Sequence, residues 1–117
     1  YNYGKFKDKN RNIQQLRMSL LNLKRVLKKD GKLIMSFPYG KKGVYLNMQQ
    51  FDKNSLKSIL NLLKMKKEEI NFFRYCDRKW IKSSEKEIKN IEPNITLIDK
   101  KKIVLSANSI AIIKLTK

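Results

Sequence analysis

Residues 32–38 read Lys32-Leu33-Ile34-Met35-Ser36-Phe37-Pro38, and the fold class turns on them. Apart from Lys32 and Ser36 the run is apolar, on both faces of an extended chain. That pattern predicts an interior strand of a parallel sheet covered by helices. Pro38 ends the strand, because proline has no N–H to give to a sheet ladder. The turn Pro38–Gly43 then lies at the strand's carboxyl end, the edge at which open α/β sheets bind ligands.

Upstream, Ile13, Leu16, Leu20, Leu23 and Leu27 recur at spacings of three and four and predict one amphipathic helix, with Arg17, Arg25 and Lys28 on its wetter side. Asp30-Gly31 ends it, Gly31 taking the left-handed cap. Downstream, Asp52 is an expected N-cap, with Phe51 stapled onto Leu56, for a helix that buries Leu56, Ile59, Leu60 and Leu63. Ile70–Tyr75 reads as a strand and Trp80–Ile91 as a charged helix ended by Pro93. Three β-like runs follow, at Ile95–Ile98, Ile103–Leu105 and Ser109–Leu115, the first two paired through residues 99–101. Helix, strand, helix, strand predicts an α/β layered fold, read as a single unit over residues 1–117. Few parallel strands are present to flank residues 33–37, so the expectation is a piece of a three-layer α/β/α domain.

The 117 residues carry 28 Lys+Arg against 10 Asp+Glu and no histidine, for a net charge of +18. No imidazole base, Ser-His-Asp triad or histidine-ligated metal is available to such a chain. The single cysteine, Cys76, excludes an internal disulfide and a multi-cysteine metal site. The longest apolar stretches, such as Ile110–Ile113, fall far short of the roughly 20 residues that span a bilayer. Together these predict a cytoplasmic protein. Residues 1–67 hold 17 of the basic residues and three acids, a field able to draw nucleic acid, anionic lipid or phosphorylated metabolites. Lys, Asn and Ile fill 47 positions and only five of the basic residues are Arg. A/T-rich codons account for such a composition equally well, and specific nucleic-acid sites lean on arginine forks.

The stretch Leu23–Gly40, Leu23-Lys24-Arg25-Val26-Leu27-Lys28-Lys29-Asp30-Gly31-Lys32 and onward through Pro38-Tyr39-Gly40, resembles the "RVLKPGG-L-hydrophobic-VP-G" segment of class I S-adenosylmethionine-dependent methyltransferases. Tyr3-Gly4 sits where some members carry a Tyr-Gly-Asp element. Asn47–Leu60 and Phe72–Glu87 are similar to later segments of the family, and Ala107–Leu115 to its last strand. The layout resembles methyltransferase-like proteins associated with glycan synthesis. Lys29 and Asp30 depart from the family's Pro-Gly. The match covers nearly all of this chain but only the C-terminal half of such an enzyme.

The resemblance implies a partial Rossmann-like methyltransferase sheet, S-adenosylmethionine as cofactor and a small-molecule or glycan-related acceptor. The family's glycine-rich turn is missing, since glycines at 4, 31, 40 and 43 do not form G-x-G-x-x-G. So is the acidic residue that holds the cofactor's ribose. The chain is therefore expected to form part of the substrate side of the cleft. Pro38, Tyr39, Gly40, Lys41 and Lys42 of the exit loop are the substrate-binding candidates, with Tyr39 orienting an acceptor hydroxyl and Lys41 meeting an anionic group such as phosphate. Tyr3 is a further candidate, and Trp80 a cap for the cleft. No catalytic residue or metal ligand is assigned. Two other functions fit the same residues: a small basic nucleic-acid-binding protein, and a non-catalytic partner module that self-associates through an exposed sheet edge.

Overall fold

The computed structural model describes residues 9–45, 48–98 and 102–117. Helix α1 (Lys9–Val26) leads into strand β1 (Lys32–Pro38), followed by a small ribbon, β2 (Gly43–Tyr45) with β3 (Met48–Gln50). Helix α2 (Lys53–Leu63) precedes the hairpin β4 (Lys66–Cys76) and β5 (Lys79–Ser83), then the short α3 (Glu85–Ile88). A second ribbon, β6 (Asn94–Ile98) with β7 (Lys102–Ser106), and the last strand β8 (Ser109–Thr116) complete the chain.

The main sheet has four strands in the order β1-β8-β4-β5, and every neighbouring pair is antiparallel. This overturns the expected fold class. Residues 33–37 are not an interior strand of a parallel, Rossmann-like sheet. They lie in an outer strand whose sheet partner is β8, with Leu33 opposite Leu115 and Phe37 opposite Ala111. The physical reason is visible in the alternation: Leu33, Met35 and Phe37 face the core, while Lys32, Ile34 and Ser36 are exposed. Ile34, two-thirds exposed, made the run look covered on both sides. The central strand is β8, whose Ala111, Ile113 and Leu115 are buried and whose alternate residues are half-buried.

Helices cover one face of this sheet. Leu20 of α1, Leu56, Ile59 and Leu63 of α2, and Ile88 of α3 join Phe37, Ala111, Ile113 and Leu115 in one core. At about 0.8 kcal/mol per buried methylene, this cluster is the main stabilising element. Lys24 Nζ donates to the Leu63 carbonyl, so α1 satisfies an orphan acceptor at the end of α2. The α1 stripe holds only in part, for Leu20 is buried but Leu23 lies nearly half exposed.

Local signals resolve similarly. Asp52 caps α2 as expected: its carboxylate accepts from the Ser55 N–H at 2.9 Å, and Ser55 Oγ accepts from the Asp52 N–H at 2.8 Å. At the end of α1 it is Asp30, not Gly31, that takes positive φ, at 65°. Gly31 is required for a different reason, because a Cβ there would stand 2.8 Å from the Lys28 carbonyl oxygen. The expected helix Trp80–Ile91 is instead strand β5 followed by α3. A tight turn at Asp77-Arg78, both at positive φ, folds residues 79–83 back onto β4. The pairing of residues 95–98 with 103–105 is as expected, Ile95 lying opposite Leu105; the connecting residues 99–101 lie outside the described residues.

Candidate functional site

The loop leaving β1 is held on three sides by backbone hydrogen bonds. The Tyr39 N–H donates to the Ser109 carbonyl at 3.0 Å, and Ser109 Oγ donates back to the Tyr39 carbonyl. The Gly40 N–H donates to the Phe51 carbonyl at 2.9 Å and the Lys41 N–H to that of Ile91 at 3.0 Å. Gly40 has φ 153°, and a Cβ on it would collide with the Ile91 carbonyl oxygen. Buried Gln50 completes the packing: its Nε2 donates to the carbonyls of Lys41 at 3.0 Å and Ile91 at 2.8 Å.

Tyr39 is 1% exposed. Its ring packs on Phe72 at 5.0 Å between centroids, and its hydroxyl donates to Glu85 Oε1 at 3.2 Å. Burial, and then the negative charge of Glu85, push the phenol's pKa upward. The side chain is thus a neutral donor already committed to Glu85. Lys41 Nζ pairs with Glu92 at 3.1 Å, an exposed contact that holds the ammonium's pKa up. Pro38 stays in the strand, its carbonyl accepting from the Phe51 N–H at 2.8 Å. Tyr3 lies outside the described residues. Trp80 stands on the β4–β5 hairpin with its ring 5.2 Å from that of Tyr75, on the sheet face away from the helices.

Lys42, one residue past the locked segment, borders a cavity of about 580 Å³. Leu16 and Arg17 of α1 form one wall, and Ser58, Ile59, Asn61 and Leu62 of α2 another. Gln49 and Phe51 also line this half-open cleft. This volume falls within the range of small-molecule sites, and its apolar base with a few convergent polar groups is their usual composition. Among the described residues neither Arg17 nor Lys42 forms an ion pair. The sequence marked Lys42 in the exit loop, but gave no sign of Arg17, Gln49 or Asn61. The packing of α1 against α2 brings Arg17 and Asn61 together, β3 adds Gln49, and Arg17 reads as an ordinary residue of a helix's polar side.

The residues present do not fit S-adenosylmethionine. Gly31, Gly40 and Gly43 are each packed against their own chain, at Lys28, Ile91 and the Tyr45 ring, so none leaves a cradle for a ligand. Among the described residues no three His, Cys, Asp or Glu side chains converge on a metal position, and no helix is long and apolar enough to cross a membrane. No family model, curated protein or solved structure matches this chain.

Proposed function

We propose that this chain is the C-terminal portion of a cytoplasmic S-adenosylmethionine-dependent methyltransferase acting on a small-molecule or glycan-related acceptor, and that it supplies part of the acceptor wall. The methyl donor is held by residues outside this chain. The observation that carries the reading is the position of the cavity. It opens directly beyond the loop after β1, at Lys42, next to the segment Leu23–Gly40 on which the resemblance rests. The exit-loop residues Pro38, Tyr39, Gly40 and Lys41 act as the rigid support for that wall, since their polar groups are spent within the fold.

The test is methyl transfer by the full gene product, assayed with methyl-labelled S-adenosylmethionine against a panel of glycan precursors. Label in an acceptor is the expected result. A reading frame closed by a stop codon just upstream of Tyr1, or a full product that fails to bind the donor, overturns it.

One observation favours a second reading, a nucleic-acid-binding protein. The sheet face away from the helices carries Phe73, Tyr75 and Trp80, with Lys82 directly opposite Phe73 and Lys114 farther along β8 opposite Glu69. Aromatic rings and lysines on an open sheet are a stacking platform for single-stranded nucleic acid. Binding of a single-stranded oligonucleotide that weakens steeply with salt supports this reading, and no binding at about 50 mM salt removes it.

A further inference from the structure

We propose that the cavity between α1, α2 and the turn before β2 binds a phosphate-bearing small molecule of sugar-phosphate size. This rests on the function proposed above, for which it names the acceptor class.

Four observations converge. First, Arg17 and Lys42 border the same space from different elements, and neither has a carboxylate partner among the described residues. Two cations bordering one cleft from different elements are placed to meet the oxygens of a single dianion from two sides. Second, among the described residues no acid lines the cavity, and Asp52, whose carboxylate feels the charge of Lys42, is already engaged. Its carboxylate caps α2 through Ser55, and that bonding, with the charge of Lys42, keeps its pKa low. It stays ionised and offsets part of the Lys42 charge, but it does not line the cavity and so, among the described residues, leaves Arg17 and the Lys42 ammonium there without a bridging carboxylate.

Third, the lining suits a sugar as well as an anion. Phe51 and Leu62 offer apolar surface for the C–H face of a ring, while the amides of Gln49 and Asn61 form no side-chain hydrogen bond among the described residues and are able to meet hydroxyls. Fourth, the chain's net charge of +18 steers anions toward it. Lys41, the cation singled out by sequence, is held by Glu92, so the structure transfers the anion-binding role to Lys42 and Arg17.

The experiment titrates the folded chain with glucose 1-phosphate, with glucose and with inorganic phosphate, by calorimetry and by following side-chain amide resonances. Glucose 1-phosphate is expected to bind and to shift the amide signals of Gln49 and Asn61, and glucose is expected not to bind. The double variant R17Q/K42Q is expected to lose at least about tenfold in affinity, as befits two charge-assisted hydrogen bonds. The control K41Q is expected to stay within about twofold. Asn61→Phe, which fills the cavity from an exposed helix position, gives a second route to the same loss. Affinity unchanged in both R17Q/K42Q and Asn61→Phe overturns the proposal. So does an equal loss in K41Q, which marks diffuse surface charge, or inorganic phosphate binding as tightly as the sugar phosphate. Methyl transfer to an uncharged acceptor removes this substrate class and leaves the enzyme reading standing. Sugar-phosphate capture without methyl transfer does the reverse.

Discussion

Tyr39 Oη donates a hydrogen bond to Glu85 Oε1 at 3.2 Å, across 46 positions of sequence, and so ties the exit of β1 to the first turn of α3. The bond directs the proton of a tyrosine at the mouth of the loop into the fold. Removing only the hydroxyl, in Tyr39→Phe, is expected to cost about 1 kcal/mol, the usual net value of such a bond. Tyr39→Ala is expected to cost about 3–5 kcal/mol, because it opens a cavity beside Phe72. The sign of the pH effect follows from the raised pKa of the folded phenol. Its stabilisation is fully present below about pH 10, where the unfolded tyrosine is also protonated, and is lost as pH rises above that. Urea unfolding at pH ~7 and ~10.5 checks this. Wild type is expected to lose more stability than Tyr39→Phe between the two, and equal losses refute it.

Asp52 behaves in the opposite sense. Hydrogen bonds from Ser55 hold its carboxyl below the usual range. A lowered folded pKa gives stability that is present above the unfolded value of about 4 and fades as pH falls through the folded one. Asp52→Ala is expected to destabilise by about 1 kcal/mol at neutral pH through loss of the cap, and Asp52→Asn by less. Thermal melts between pH ~2.5 and ~7 should show a shallower acid loss in both variants than in wild type.

The cap at Asp52 was legible because capping is local, set by two residues three positions apart. The same holds for α2, for β8 and for the pairing of residues 95–98 with 103–105. The sheet was not legible, because the decisive fact about Leu33–Phe37 is its pairing with Ala111–Leu115, far along the sequence. Ile34 is apolar yet exposed, so hydropathy alone reports a covered strand where one face is wet. Trp80–Lys82 was misread for a related reason: charge spacing suits a helix, but the turn at Asp77-Arg78 dictates a hairpin. At the candidate site, Tyr39 and Lys41 were marked by type and place in a loop, whereas Arg17 carries no local mark and becomes interesting only once α1 lies over α2.

Gly40 is a position where side-chain volume itself is excluded. A Cβ there meets the Ile91 carbonyl oxygen and crowds Gln50 Nε2 at 3.0 Å and the Ile88 carbonyl oxygen at 3.1 Å. Relief requires moving the α3 exit away from the loop and stretching the bonds of Gln50 to Lys41 and Ile91. Gly40→Ala is therefore expected to cost about 2–3 kcal/mol, a large share of the stability of a small domain. Hydrogen exchange at the amides of Lys41 and Ile91 should accelerate more than that of Ile113 in the central strand. Uniform acceleration at all three argues against a local cause.

The outer edge of β1 sets the last expectation. In an antiparallel pair, alternate residues direct their backbone groups toward the partner and away from it. Tyr39 bonds Ser109 of β8, and the Pro38 carbonyl accepts instead from Phe51 on the other side. By that parity the N–H and C=O of Ile34 and Ser36 also point away from β8. Among the described residues, the edge is covered at its Pro38–Gly40 end, by Phe51. An open edge beside an isoleucine that is 67% exposed is a template for a second strand. The isolated chain is thus expected to self-associate as concentration rises, while Ile34→Lys, which adds a charge to this wet position, keeps it monomeric at a cost within about 0.5 kcal/mol. Sedimentation velocity over a hundredfold concentration range reads the difference. Identical profiles for wild type and Ile34→Lys would place any association elsewhere on the surface.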